Sequence, residues 1–356
     1  MKVYKILVIN PGSTSTKVAL FANKNLLFEK KIQHSTEELS VFSKINDQFE
    51  FRRKIILNFL KEKNINLSSL DAIVGRGGLL RPIPSGTYRV NKQMIEDLKN
   101  SKRGEHASNL GGILAYSIAE ELSIPAYIVD PVVTDEMEPI ARISGMPEIS
   151  RISVLHALNQ KTIARKAADD LGKKYEKTNL IVAHLGGGIS VGIHSQGKVI
   201  DVNNALNGEG PFAPERSGGL PVGALVDLCF SGKFSREEIM KKIVGKGGLV
   251  AYLNTNDIRE VLKRIEQGDQ YAKLILEAMA YQVAKEIGAG ATVLKGQVDA
   301  IILTGGIAYN SEFIELIKDR ISFLSLVMVY PGEEEMTALC EGALRVLRGE
   351  EVEKIY

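Results

Sequence analysis

The sequence predicts an α/β protein made of two related halves, and two internal echoes predict it. The chain opens with strand Lys5–Asn10, a Gly/Ser turn, strand Thr16–Phe21, a polar turn at 22–25 and strand Leu26–Ile32. The same order returns in strands Asn179–Leu185, Ile189–His194 and Val199–Val202, joined by Gly186-Gly187-Gly188 and Gln196-Gly197-Lys198. The second echo pairs DAIVGRGG from Asp71 with DAIILTGG from Asp299, each an apolar run entering a Gly-Gly turn. Gly-Gly after a strand is common, but agreement in type, order and spacing indicates duplication.

Each element has its own signal. KILVIN is a short apolar run stopped by Pro-Gly, hence a strand and a turn. Three strands joined by short turns make an antiparallel meander, not the strand–helix unit of a dinucleotide fold. Helical patterns follow at Phe49–Lys63, Ser108–Leu122 and Ala157–Leu171, with strand runs at Ala72–Val74 and Ala126–Val129. In the second half Tyr271–Leu294 predicts a long helix, followed by strand Ala300–Leu303, helix Glu312–Ile321, strand Ser325–Tyr330 and helix Glu335–Leu347. No low-complexity linker divides the halves, so a long shared interface or a cleft is expected.

Composition narrows the function. The 356 residues are 44% hydrophobic and 25% charged, which excludes disordered, collagen-like and coiled-coil chains. Basic and acidic residues number 45 and 43 and are interspersed, so no nucleic-acid partner is expected. Two cysteines, Cys229 and Cys340, form no disulfide framework and have no neighbours at metal-ligand spacing. No apolar run approaches the roughly 18 residues of a membrane span, and the N-terminal run is short for a signal peptide. The expectation is a soluble, cytoplasmic protein without a membrane partner.

Three glycine-rich turns carry the chemistry. Tight turns present backbone N–H groups that cradle phosphate oxygens. The first adds Asn10, Ser13, Thr14, Ser15, Thr16 and the charge of Lys17; the second, Gly186-Gly187-Gly188, offers no side chain to obstruct a phosphate. The third, Thr304-Gly305-Gly306, lies between a strand and a helix from Ser311, with room for an α-phosphate or ribose. Each alone reads as a plain turn. Together, in a duplicated α/β frame, they predict an ATP cleft of the actin-like kind.

At the level of motifs, VINPGSTSTK (Val8–Lys17), HASNL from His106, HLGGGIS from His184, ERSGG from Glu215, TGGIAYN from Thr304 and PGEEE from Pro331 follow one another along nearly the whole chain. In content and order they resemble the acetokinase family, especially its shorter members, whose first-domain turn reads Val-Gly-Arg-Gly-Gly. The resemblance implies the two-domain fold shared by acetate and sugar kinases, heat-shock chaperones and actin. It implies an N-terminal lobe of 1–154 plus 339–356 on the phosphate and acyl side, and a C-terminal lobe of 155–338 on the nucleotide side. It further implies the reaction ATP + short-chain carboxylate ⇌ ADP + acyl phosphate, the cofactors ATP/ADP and Mg²⁺ or a similar divalent ion, and a homo-oligomer, dimer or higher.

The residues suit that reaction. A carboxylate is ionised at neutral pH and attacks a γ-phosphate without a general base, whereas a sugar hydroxyl needs one. The difficulty is joining two anions, which calls for cations and neutral donors: Arg76, Arg216, Lys17, His106, His156 and His184. The resemblance assigns catalysis to Arg216, His156, Asp130, Arg76 and His184, and metal association to Asn10 and Glu334, with the register inside Glu333–Glu335 open by one residue. It assigns the nucleotide and its phosphates to Asn10, Ser13, Ser15, Lys17, Gly186, Gly187, Gly188, Asp257, Arg259, Gly305, Gly306 and Asn310. On residues alone, Asp130 reads equally as a turn former before Pro131, the glutamate run as first-turn helix charge and Asp257 as a helix cap. Similarly, His184 reads as a core residue, His106 as a loop residue and Arg216 as a surface ion pair. His34 and His194 read as surface.

Departures from the acetate-specific members bear on the acid. Their key arginine falls where Ile73 stands here, and Arg76 takes the place of their histidine before Gly-Gly. Gly75 replaces an apolar pocket residue, and Leu155 a phenylalanine beside the catalytic histidine. The expectation is a deeper acyl pocket contacted by Arg76, Gly75, His106 and Leu155. At ~0.8 kcal/mol per buried CH₂ and a discrimination of about 10–200-fold, it favours butyrate and isobutyrate, leaking to propionate and valerate. The alternative is an acetate or propionate kinase; an actin- or chaperone-like ATPase is more remote.

Overall fold

KILVIN becomes the strand Lys5–Pro11, whose residues Ile6 to Ile9 are fully buried. Both faces of that strand are covered, which is why the run is continuously apolar and does not alternate. The computed structural model describes residues 2–356. The chain divides into two compact units: one ends at Thr134 and resumes over Glu334–Tyr356, and the other is Asp135–Glu333. The boundaries therefore fall at 134/135 and 333/334, against the expected 154/155 and 338/339. Hydrogen bonds explain the first shift. The Glu138 amide donates to Ile200 O at 2.9 Å, and Arg151 Nη1 donates to Asp201 at 2.9 Å, tying 135–154 to the second unit.

The first unit holds a seven-stranded sheet in the order Lys354–Ile355, Thr87–Arg89, Ala126–Val129, Ala72–Arg76, Lys5–Pro11, Ser15–Ala22, Asn25–Gln33. The second holds five strands: Val327–Pro331, Ala300–Gly305, Asn179–Leu185, Ile189–Ser195, Lys198–Val202. In both, the opening strand pairs antiparallel with the next and parallel with the strand of the repeated Asp-Ala-Ile motif. The repeated aspartate does the same work twice. Asp71 Oδ2 accepts from the Lys5 amide and Asp299 Oδ2 from the Asn179 amide, each at 2.8 Å, clamping the start of the opening strand. The expected duplication is thus present in topology and in side-chain detail.

Helices cover the sheets. Asp269 caps the helix Gln270–Val293, which buries Ile275, Met279, Val283 and Ile287 at helical spacing in the core of the second unit. The helix Asn109–Leu122 lies on strand Ala72–Arg76 through Gly111. Two histidines expected at the surface are buried: His34 beside Thr16, and His194 between Tyr175 and Gln160. His194 lies on the inward face of the strand Ile189–Ser195, and His34, just past the strand Asn25–Gln33, turns its Nε2 to Thr16 Oγ1 at 2.8 Å. Among the described residues no helix is long and apolar enough to cross a membrane.

Candidate active site

In the first unit, Asn10 is the last residue but one of the opening strand and is buried; Ser13 is exposed at the turn, Ser15 is buried and Lys17 is half-buried on the next strand. Asn10 Nδ2 donates to Glu335 Oε2 at 2.7 Å, and Glu335 also pairs with Arg76. Glu334, the neighbour expected from the sequence, is exposed at the N-cap position of the helix Glu335–Leu347. Glu335 is the first helical residue, and helical geometry turns it, not its neighbour, toward the strand ends. The Asn10 side-chain amide and the Glu335 carboxylate meet here, and both carry oxygen donors of the hard kind that suits Mg²⁺ retaining most of its waters.

Arg76 ends its strand, and His106 is close enough for the guanidinium to act on it. Burial, then the Arg76 charge, hold the His106 pKa below the usual histidine value. The Ser108 amide donates to His106 Nδ1 at 3.2 Å, which leaves the proton of the neutral ring on Nε2. Asp130 is buried at a strand end with φ +37°, a conformation costly for a residue with a Cβ. Its Oδ1 accepts from Ser85 Oγ at 2.6 Å and from the Gly86 amide at 2.7 Å, so the carboxylate is fixed in orientation.

Gly75 has a different task from the one its sequence suggests. A Cβ there would coincide with the Gly111 carbonyl, and one at Gly111 with the Arg76 carbonyl. Its missing side chain lets helix and strand touch backbone to backbone; it does not widen a pocket. Leu155 is likewise 2% exposed in a small apolar cluster with Met137, Ala157, Val199 and Val202. Both positions are closely packed in the fold.

In the second unit, the His156 and His184 rings stack with centroids 3.8 Å apart at 15°. His184 Nδ1 meets Asn159 Oδ1 at 2.8 Å, and its Nε2 lies 3.0 Å from Glu333 Oε1. His156 Nδ1 meets Ser190 Oγ at 2.9 Å, and Gln160 Nε2 donates to that same hydroxyl at 2.8 Å. Gln160 Oε1 continues to His194 at 3.0 Å, and His194 to Tyr175 at 2.8 Å. Sequence reasoning missed Asn159, Gln160 and Ser190. For Asn159 and Gln160 the available signal was polar residues at i+3 and i+4 from His156, on the buried face of the helix Ala157–Asp170; Ser190 closes the HLGGGIS run on the strand Ile189–Ser195.

Arg216 donates to the Ala205 carbonyl, and its guanidinium fills the space a Cβ of Gly188 would need. Burial pulls its pKa down, and Glu215 opposes this. Six expected nucleotide residues, Gly186, Gly187, Asp257, Arg259, Gly306 and Asn310, line one cleft of about 590 Å³, with Pro214, Ile258, Ile307 and Tyr309 as apolar walls. Gly188 and Gly305 are buried instead. Gly305 has φ +93°, and a Cβ on it would strike the Leu185 backbone. Asp257 and Asn310 each also cap a helix, accepting from the Arg259 and Phe313 amides at 2.9 and 2.7 Å. Capping and cleft lining therefore coexist in these two side chains. Arg259 is 88% exposed and is held by Asp257.

Comparison with known proteins follows the same line. Residues 149–339 match the acetokinase family. The chain is 60% identical over 354 residues to butyrate kinase 1 of Clostridium acetobutylicum, covering 99% of this chain and 100% of the relative. The acetate kinase of Porphyromonas gingivalis superposes with TM-score 0.78 at 21% identity over 97% of this chain and 100% of its own. A propionate kinase from Francisella tularensis gives 0.72 at 22% over 95% and 98%. The two structural likenesses show the fold, the actin-like ATPase fold expected.

Proposed function

The chain belongs to the acetokinase family and is a carboxylate kinase, and from that premise we propose that it phosphorylates butyrate with ATP, reversibly, to butyryl phosphate and ADP. The 60% identity to a butyrate kinase over nearly the full length supports this acid over acetate or propionate.

In this reading a carboxylate oxygen of butyrate attacks the γ-phosphorus. The new O–P bond forms as the bond to the β-phosphate oxygen breaks, and that oxygen leaves with the electron pair on ADP. The acid is already ionised, so no proton has to move. The observation that carries the reading is Arg216, a half-buried guanidinium set against Gly188, one residue from the cleft-lining glycines. A cation there neutralises charge building on the transferring group. His156, whose Nδ1 can accept from the Ser190 hydroxyl, presents an Nε2–H donor, and His184, whose Nδ1–H donates to Asn159 Oδ1, stacks against it and fixes the ring. Arg76 offers a forked donor for the acid or its phosphate, and Asp130 orients the reacting groups. Asn10 and Glu335 would hold Mg²⁺, which when bound supplies charge neutralisation on phosphate oxygens. Ile258, Ile307 and Tyr309 suit a purine, with Asp257, Arg259 and Asn310 for the sugar side. The exposed apolar residues Val222, Val226 and Phe230 on one helix support a homo-oligomer, and a reducing cytoplasm suits the free Cys229 and Cys340.

Hydroxamate trapping of the acyl phosphate across the C2–C5 acids tests this. The highest kcat/KM is expected with butyrate. A best value with acetate overturns the choice of acid, and ATP turnover independent of any acid overturns the kinase chemistry.

A further inference from the structure

Arg52 lies in the helix Phe49–Glu62 and is fully buried, the largest such side chain among the described residues. Its guanidinium grips the first glycine-rich turn. Nη1 donates to Gly12 O and Ser15 O, each at 2.9 Å, and to Thr16 Oγ1 at 3.0 Å. Nη2 donates to Ser13 O at 3.1 Å and to Gln48 Oε1 at 2.8 Å, and Nε donates to the same Gln48 oxygen at 3.0 Å. All of these acceptors are neutral. Burial brings the guanidinium down to about 10, which still leaves it charged at neutral pH.

Two physical consequences follow from this grip. A trans peptide is planar, with its C=O and N–H on opposite sides. Turning the Gly12 and Ser13 carbonyls onto Arg52 therefore turns the Ser13 and Thr14 N–H groups outward, at residues that are exposed. A buried cation without a counter-charge is also costly, more than holding a turn requires. An anion arriving on the outer face of the turn would supply the missing charge.

We propose that Arg52 is a positioning residue for phosphoryl transfer: it sets the outward N–H groups of turn 12–16 and places a buried positive charge beneath them. The inference rests on the kinase reading above.

The test compares Arg52→Met, Arg52→Gln and Arg52→Lys with the wild type, all at equal folded concentration by near-UV circular dichroism. Expected is a kcat loss of roughly 10–100-fold in Arg52→Met and Arg52→Gln, since small misplacements of donors carry such factors. KM for ATP should move less than about threefold, because the adenosine-side cleft contains none of the partners of Arg52. Arg52→Lys, which keeps the charge and fewer donors, should fall between. In Arg52→Ala, millimolar guanidinium ion should restore part of kcat. A kcat per folded chain within about twofold of wild type in Arg52→Met overturns the proposal, as does a loss that only tracks the unfolded fraction. If Arg52→Met does not fold, Arg52→Lys decides by the same limit. The wild type run in parallel with butyrate separates the two readings: its failure sinks the proposed function, while normal wild type with normal variants sinks only the role of Arg52.

Discussion

Substituting Gly75 with alanine separates packing from specificity at a single atom. The new Cβ would coincide with the Gly111 carbonyl and lie 2.8 Å from the Gly112 nitrogen. These are backbone atoms in the first turns of a helix, so no side chain can swing aside. The helix Asn109–Leu122 must lift from strand Ala72–Arg76, loosening the fully buried Leu110 and Leu114. Overpacking costs about 1–3 kcal/mol, and rigid neighbours put this site near 3. For a unit of this size that is a fall in Tm of roughly 6–12 °C. Thermal unfolding and the C2–C5 acid series are measured on the same preparation. The expected result is a lowered Tm with an unchanged order of acids. An unchanged Tm with preference moved toward shorter acids would refute the packing argument and return Gly75 to an acyl pocket.

Other perturbations reach the remaining groups. Arg216→Ala should lower kcat by about 10²–10³ while ATP affinity by calorimetry changes only a few-fold; a near-normal kcat contradicts its role. Gly188→Ala should act in the same direction, because its Cβ displaces the Arg216 guanidinium. Glu335→Gln should raise the Mg²⁺ concentration needed for half-maximal rate, whereas Glu334→Gln should leave the titration within about twofold; the reverse pattern would restore the glutamate expected from sequence. Burial lowers the pKa of both His34 and His194, most strongly His194. Their neutral rings contribute stability in full above the unfolded value near 6.5, and that stability is lost as pH falls toward the folded values. Urea unfolding at about pH 7.5 and 5.5 should show the decline, and His194→Gln should flatten it; equal stability at both pH values in the wild type would be the contrary result.

The frame of the fold was legible because its signals are local. KILVIN and NLIVAHL are apolar on both faces, and the paired Asp-Ala-Ile runs announce equivalent strands. Between 203 and 268 the helices Val222–Phe230, Arg236–Ile243, Gly248–Leu253 and Ile258–Glu266 are short, and the first buries nothing, so periodicity gave little to read. The three-residue strand Thr87–Arg89 is shorter than any pattern can register. Turns and motifs singled out glycines that the fold sets along one cleft and two histidines that it stacks. They did not show that Glu335 is the glutamate that meets Asn10 and Arg76, because adjacent identical residues differ only in helical phase. Gly75 misled because a glycine in a motif reads alike whether it faces a ligand or another backbone. Arg52 left a sign that passed unread: it precedes the buried Ile56 and Leu60 by four and eight residues, which places a cation on the apolar stripe.

The first unit is completed only by residues 334–356: the helix Glu335–Leu347 and the strand Lys354–Ile355, which pairs with Thr87–Arg89. During synthesis at about 5–20 residues per second, the opening sheet waits roughly 10–40 s while the intervening two hundred residues are made. The half translated later can close first, leaving the earlier one with an apolar flank bare on the ribosome. A nonsense codon near the 3′ end of the message would therefore cripple the part of the enzyme made first.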